Sequence, residues 1–275
     1  MRPKFPVKGQ IQPMDQVPAS RPLSDVTVID FGQIFQGPYA SLLLAKAGAF
    51  VIKIEPPRGE PGRRRAEPGK SATLPFAMLN QNKHAVTLNL KHERGRALLE
   101  EMVRRSDVLL ENFSPGTMDD LGIGWSRLHE INPRPIYATG TGFGISGPDR
   151  DNLAMDMTIQ AASGIMSVTG FPDGPPVKAG PTLVDFMGGI HLYAGIVTAL
   201  YDRDRSGVSR LVEVAMQEAV YPTLAASYDY YYPARFRRAP AIASQGSTAP
   251  PTMSFRPPTA TSRSTSSPRR IGRTC

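Results

Sequence analysis

The sequence predicts an α/β fold with a mostly parallel sheet. Short apolar, β-branched runs alternate with helix-like segments, and glycine-rich turns follow several of the runs. A hydrophobic content of 40% is enough for a substantial core. Sheets of this kind take ligands beyond the carboxyl ends of their strands, where these turns lie.

The elements follow in order. Val26 to Phe31 reads as a first strand. Pro38 to Ala47 reads as a helix, with Pro38 near its start and Gly48 near its end. Phe50 to Glu55 is the next strand and Ala85 to Leu90 the one after. Glu93 to Arg105 is amphipathic, with Ala97, Leu98 and Met102 on one face and charges opposite. Val108 to Phe113 is a strand, Trp125 to Ile131 a helix, and Pro135 to Gly140 another strand.

Composition narrows the function classes. The 275 residues could hold one large or two ordinary domains. No run of 18 apolar residues occurs, so no membrane span is expected. Met1 to Arg21 is rich in Pro and Lys and lacks the apolar stretch of a signal peptide. The single cysteine, Cys275, allows neither a disulfide framework nor a cysteine metal site. Together these point to a cytoplasmic protein without a metal. The net charge of +8 suggests nucleic acid at first sight. Eight arginines in residues 235–275 carry all of it, leaving 24 basic residues against 24 acidic ones in the body. A neutral body has no global field to attract DNA or RNA.

The segment from Lys178 to His191 is the most informative. Asp185 follows an apolar, strand-like run and opens a helix-like run, with Gly188 and Gly189 just beyond it. Small residues let a bulky ligand approach the carboxylate, and a helix N-terminus adds donors and a positive dipole end. That setting suits a carboxylate that attacks a carbonyl. It equally suits an N-cap, for which Asp is a preferred residue.

Asp30 to Pro38, Val51 to Gly59, Leu79 to Lys83, Glu111 to Gly116, Thr139 to Gly144 and the Asp185 segment occur in this order. Together they resemble the class III CoA-transferases, the formyl-CoA and carnitine-type transferases, over about residues 23–232. The resemblance implies a Rossmann-like large domain and an enzyme that moves CoA between an acyl-CoA and a carboxylic acid. Asp185 matches the family's catalytic aspartate, which attacks the thioester to give a mixed anhydride. The acceptor acid then displaces the acyl group, and CoA is reloaded through an aspartyl–CoA thioester. Gln33, Ile34, Phe35 and Gln36 match the turn lining the CoA site, and Asn112 and Phe113 the turn packed against CoA. Thr141 and Phe143 match the turn facing the thioester end. Arg58 and Lys83 lie where members often contact CoA phosphates, though exposed cations are also ordinary surface charge. Asp120 stands where some members carry a basic residue. CoA and acyl-CoA are implied as substrates, with no permanently bound cofactor.

Two rivals remain. The related racemases look like Gly-His-Asp where this chain has Ala154, Met155 and Asp156, and methionine carries no proton. His191 lies nearly opposite Asp185 on a helix and reads as a histidine that packs or supports a neighbouring site residue. An inactive CoA-binding module is the other rival.

From Ala239 onward Pro, Ala, Ser, Thr and Arg dominate. This reads either as a natural disordered tail or as a frameshift near Arg237 to Ala239, because a neighbouring frame allows family-like peptides. The expected organisation is an N-terminal extension at 1–22, a partial large domain at 23–238 and a tail at 239–275. The family's smaller second domain is absent on this reading, and activity is expected to be impaired. Full-length members pair as interlocked rings, and that expectation does not carry over to a chain without the interlocking parts.

Overall fold

The computed structural model describes residues 21–66, 72–171 and 173–231. The tail from Ala239, the Arg237 to Ala239 junction and nearly all of the N-terminal extension lie outside them.

The described chain runs β1 (Thr27–Asp30), α1 (Gln36–Lys46), β2 (Phe50–Glu55), α2 (Pro61–Arg64), α3 (Leu74–Asn80), β3 (His84–Thr87), α4 (Glu93–Val103) and β4 (Val108–Glu111). It continues through α5 (Thr117–Asp120), α6 (Trp125–Ile131), β5 (Ile136–Thr141), α7 (Asp156–Ala162), α8 (Leu183–Ser206), β6 (Leu211–Ala215), α9 (Met216–Val220) and α10 (Ala225–Tyr231). The strands form one sheet in the order β3-β2-β1-β4-β5-β6, every pair parallel. The order reverses between β1 and β4, which makes their carboxyl ends the topological switch point.

Strand alternation explains the layers. Val28, Val51, Val108, Leu110 and Ile136 face one side and pack with Leu44 of α1 and Leu192, Ile196 and Leu200 of α8. Ile29, Ile54, Leu109 and Tyr137 face the other side, against Leu99 and Val103 of α4 and Leu128 of α6. Each fully buried side chain of this size contributes roughly 1.5–3 kcal/mol. A third cluster, with Ile159, Val184, Met216 and Val220, sits beneath the start of α8.

Several boundaries differ from expectation. β3 covers His84–Thr87, so Leu88 to Leu90 have left the strand. The run before Asp185 is no strand, because α8 has already begun at Leu183. β6 was not anticipated; its buried pattern is partial, and its edge position weakens the apolar signal. α8 has the length and apolarity of a membrane span. Its buried Val184, Leu192, Ile196 and Leu200 pack onto the sheet and α1, which accounts for that composition within the domain core. His191 is exposed rather than packed, and its Nδ1 lies 2.8 Å from the Met187 carbonyl one turn back.

Candidate active site

A cavity of about 400 Å³ opens at the switch point. It is lined by the turn after β1 (Gln33, Ile34, Phe35, Gln36), the turn after β4 (Asn112, Phe113), and the end of β5 (Gly140, Thr141). Met155, Asp156, Lys178 and Asp185 close its other side.

The turn after β1 is held in an unusual shape. Ile34 has φ of 62°, a left-handed conformation that costs a β-branched residue of order 1–3 kcal/mol. Its neighbours hold it from two sides. Gln33 N–H donates to Asn112 Oδ1 at 2.7 Å, and Asn112 Nδ2 donates back to the Gln33 carbonyl at 3.1 Å. Ile34 N–H donates to Glu60 Oε2 at 3.2 Å. Glu111, buried at the end of β4, accepts the Phe113 N–H at 2.7 Å and so shapes the turn that carries Asn112. Burial pushes the Glu111 carboxyl up to about 7, against the opposing bonds from Thr139 and Phe113.

Gln36 begins α1, and its side chain enters a slot between β5 and α8. A Cβ on Gly140 would meet Gln36 Cδ at 2.8 Å, and one on Gly188 would meet Gln36 Nε2 at 2.8 Å. Only glycine at both positions leaves this room. The Gln36 amide nitrogen is buried and has no hydrogen-bond partner among the described residues. A buried donor without a partner is costly, and here it lies on the cavity wall.

Asp185 lies in the first turn of α8, inside the helix, whose N-cap position is Thr182. The structure gives the cap to another residue. Asp156 Oδ2 accepts the Val184 N–H at 2.7 Å and that of Asp185 at 3.4 Å. Asp156 is itself fixed by Gln160 Nε2 at 2.6 Å on its other oxygen. The Asp185 carboxylate makes no hydrogen bond among the described residues and faces the cavity. Burial, and then the Asp156 charge, push its pKa up to about 6. It is thus ionised at neutral pH and more basic than an ordinary aspartate. Phe186, next along, seats α8 on Tyr39 of α1 with ring centroids 4.8 Å apart.

Three expected contacts are not at the cavity. Lys83 is a correction: its side chain is buried, not surface charge. Its ammonium shares three N–H donors among four acceptors, Asp30 Oδ2 at 3.0 Å, Ser41 Oγ at 2.8 Å, Asn80 Oδ1 at 2.9 Å and the Pro38 carbonyl at 3.0 Å. These bonds exhaust its donors, so it ties α3 to α1 and β1 from within. Burial pushes this ammonium below its usual range despite Asp30, and the lysine charges hold Asp30 below the usual carboxylate range despite burial. Arg58 is exposed in the turn after β2, off the cavity lining. Phe143 packs against the third core cluster, whereas Thr141 and Gly142 of its turn reach the cavity.

The cations that do line the cavity are Arg65, Arg150 and Lys178, none of which the sequence reading chose. Lys178 begins the segment that carries Asp185, and Asp156 enters the sequence pattern only as the partner of a missing histidine. Arg65 and Arg150 carry no pattern that separates them from other surface arginines. Among the described residues no group of His, Cys, Asp and Glu could hold a metal ion.

A parallel doubly wound sheet with a cavity and an unbonded carboxylate at its switch point places this chain among the α/β proteins. The family description "CoA-transferase family III" matches residues 23–257, and the chain belongs to that family. It is 46% identical over 203 residues to the formyl-CoA:oxalate CoA-transferase of Streptomyces avermitilis, covering 73% of this chain and 49% of that protein. It is 45% identical over 197 residues to the acetyl-CoA:oxalate CoA-transferase of Acetobacter aceti, covering 71% and 51%. The succinyl-CoA–D-citramalate CoA-transferase of Chloroflexus aurantiacus is 40% identical over 205 residues, with 73% and 50% covered. The chain therefore spans about half the length of these relatives. Among solved structures, a CAIB/BAIF family protein from Brucella suis superposes with a TM-score of 0.74 at 32% identity, covering 78% of this chain and 58% of that one.

Proposed function

We propose that this chain carries the CoA-binding cavity and the nucleophile of an enzyme that moves CoA from an acyl-CoA to a carboxylic acid. The observation that carries this reading is the division of labour at the start of α8. Asp156 caps the helix, and the Asp185 carboxylate is left unbonded at the cavity.

The chemistry balances with Asp185 alone as the covalent group. A carboxylate oxygen of Asp185 attacks the thioester carbonyl carbon. The carbon–sulfur bond breaks, giving an acyl–aspartyl anhydride and CoA thiolate. Thiolate attack on the aspartyl carbonyl carbon releases the donor acid and leaves an aspartyl–CoA thioester. The acceptor carboxylate then attacks that carbon, and the returning thiolate takes the new acyl group, freeing Asp185. The unpaired Gln36 amide can donate to an oxyanion at the reacting carbon. Arg65 and Arg150 provide charge for CoA phosphates. Oxalate and D-citramalate, in the relatives' names, are dicarboxylates, so a dicarboxylic acceptor is part of this proposal. Met155, which lines the cavity where a racemase would carry histidine, speaks against α-proton transfer.

The test is to incubate the chain with labelled acetyl-CoA or formyl-CoA, with and without oxalate, and quench with hydroxylamine. An Asp185 hydroxamate, formed as hydroxylamine displaces the labelled acid or CoA and absent in Asp185→Ala while CoA still binds, supports the reading. Binding without an Asp185 hydroxamate in the wild type would indicate a CoA-binding module. Isotope exchange at the substrate α-carbon would indicate a racemase.

A further inference from the structure

We infer that Glu60 is a positioning residue that holds the left-handed turn at Ile34, from which Phe35 and Gln36 are presented to the cavity.

Ile34 is one of only two non-glycine residues with positive φ among the described residues, and the only β-branched one. A β-branched residue stays in that region only when its surroundings over-determine it. Asn112 grips Gln33 on one flank, but it holds no atom of Ile34 itself. The one described hydrogen bond to the Ile34 backbone amide is the one accepted by Glu60.

Glu60 is built for this task. It is 2% exposed and lies outside the cavity lining. Its own N–H donates to Glu55 Oε2 at 3.2 Å, and Glu55 is gripped by Arg63 through bonds of 2.8 and 2.7 Å. A fixed ion pair thus fixes the Glu60 backbone. The second oxygen, Oε1, is buried and has no partner among the described residues. Among these residues the carboxylate's one hydrogen-bond donor is the Ile34 amide, and the Arg63 and Lys83 charges act on it without a bond. Leaving Oε1 buried without a donor is a cost that these charges offset only in part. It is intelligible if the strained turn is what the site requires. The consequence passes to Gln36 two residues on, whose side chain fits only between Gly140 and Gly188.

The test reads the turn directly and CoA binding separately, because the latter rests on the function proposed above. Amide hydrogen exchange of residues 33–36 and CoA affinity are measured on the whole 275-residue chain. Glu60→Ala should speed exchange of this segment at least tenfold and weaken CoA about tenfold. Glu60→Gln keeps an acceptor oxygen and should stay within about threefold of wild type. Ile34→Gly accepts positive φ freely, so in its background the Glu60→Ala effect should shrink by more than half. Unchanged exchange in Glu60→Ala, equal losses in Ala and Gln, or additive effects with Ile34→Gly would each overturn the inference. If Glu60→Ala does not fold, the double variant decides: folding with protected amides at 35 and 36 supports the clamp, and failure to fold overturns it. A wild type that does not bind CoA would count against the proposed function, and the exchange arm would still judge the clamp.

Discussion

Asp156 caps the helix that carries Asp185, its Oδ2 standing 2.7 Å from the Val184 nitrogen and 3.4 Å from that of Asp185 itself. One carboxylate therefore does structural work and leaves the other free. It also raises the basicity of its neighbour, second only to burial as a cause.

Replacing Asp156 separates these two effects. Asp156→Asn keeps an acceptor for the helix amides and removes the charge. The Asp185 pKa then falls, and the acid limb of the pH–rate profile moves to lower pH. Asp156→Ala removes the cap and the Gln160 partner together, and should cost about 2–3 kcal/mol in a denaturant melt. Identical pH profiles for wild type and Asp156→Asn would show that the charge does not reach Asp185.

Asp185 also makes a prediction about stability. Its pKa is raised to about 6 in the folded chain from 3.8 ordinarily, so the folded state holds the proton more tightly. The stability linked to this group is complete below about pH 4 and is lost as pH rises through 6. Asp185→Asn should therefore be more stable than wild type by about 1–2 kcal/mol at pH 8, discounted for partial exposure. The gain should vanish at pH 4 in urea titrations run at both values. A nucleophile required as its anion should also lose activity as pH falls through 6.

Two adjacent glycines of α8 should behave differently. At Gly188 a new Cβ meets the far end of the Gln36 side chain, which can move aside into the cavity. Gly188→Ala should fold with stability within about 1 kcal/mol of wild type and bind CoA poorly. At Gly189 the Cβ meets the Gln36 backbone oxygen at 2.8 Å, and backbone cannot yield so cheaply. Gly189→Ala should lose roughly 1–3 kcal/mol in thermal or denaturant unfolding. Equal melting for the two variants would contradict this account.

Lys83→Met removes the cation that meets buried Asp30. The loss should be about 3–5 kcal/mol, the usual result when one partner of a buried pair is deleted. If Lys83 instead met CoA phosphates, the variant would melt normally and its CoA affinity would become less sensitive to salt. Calorimetric melting and CoA titrations at two salt concentrations distinguish the outcomes.

The parallel sheet was legible because apolar runs such as Val108 to Glu111 are buried on both faces, and that burial writes itself into composition. The edge strand β6 was not, since Leu211 and Glu213 face outward and dilute the pattern. The turns around Gln33 to Gln36 and Asn112 to Phe113 were found through a resemblance, and they do meet at one cavity. Lys83 shows the opposite case. Its residue type suggests surface charge, and only the three-dimensional meeting of Asp30, Ser41 and Asn80 explains its burial. Asp156 and Glu60 were missed for a related reason. A cap borrowed from another helix, or an acceptor borrowed from another loop, leaves no local spacing to read.

The strand order also bears on how the chain is made. The cavity draws on residues 33–36, 112–113, 140–141, 185 and 216, gathered from both halves of a reversing sheet. During synthesis β5 waits with an open edge through the whole of α7 and α8 until Leu211–Ala215 emerge to pair with it. Such long-range parallel pairing is intrinsically slow, and an unpaired edge invites association with other nascent chains. The cavity lining is complete only once Met216 has emerged, so a ligand that needs the whole lining can stabilise the fold only after that point.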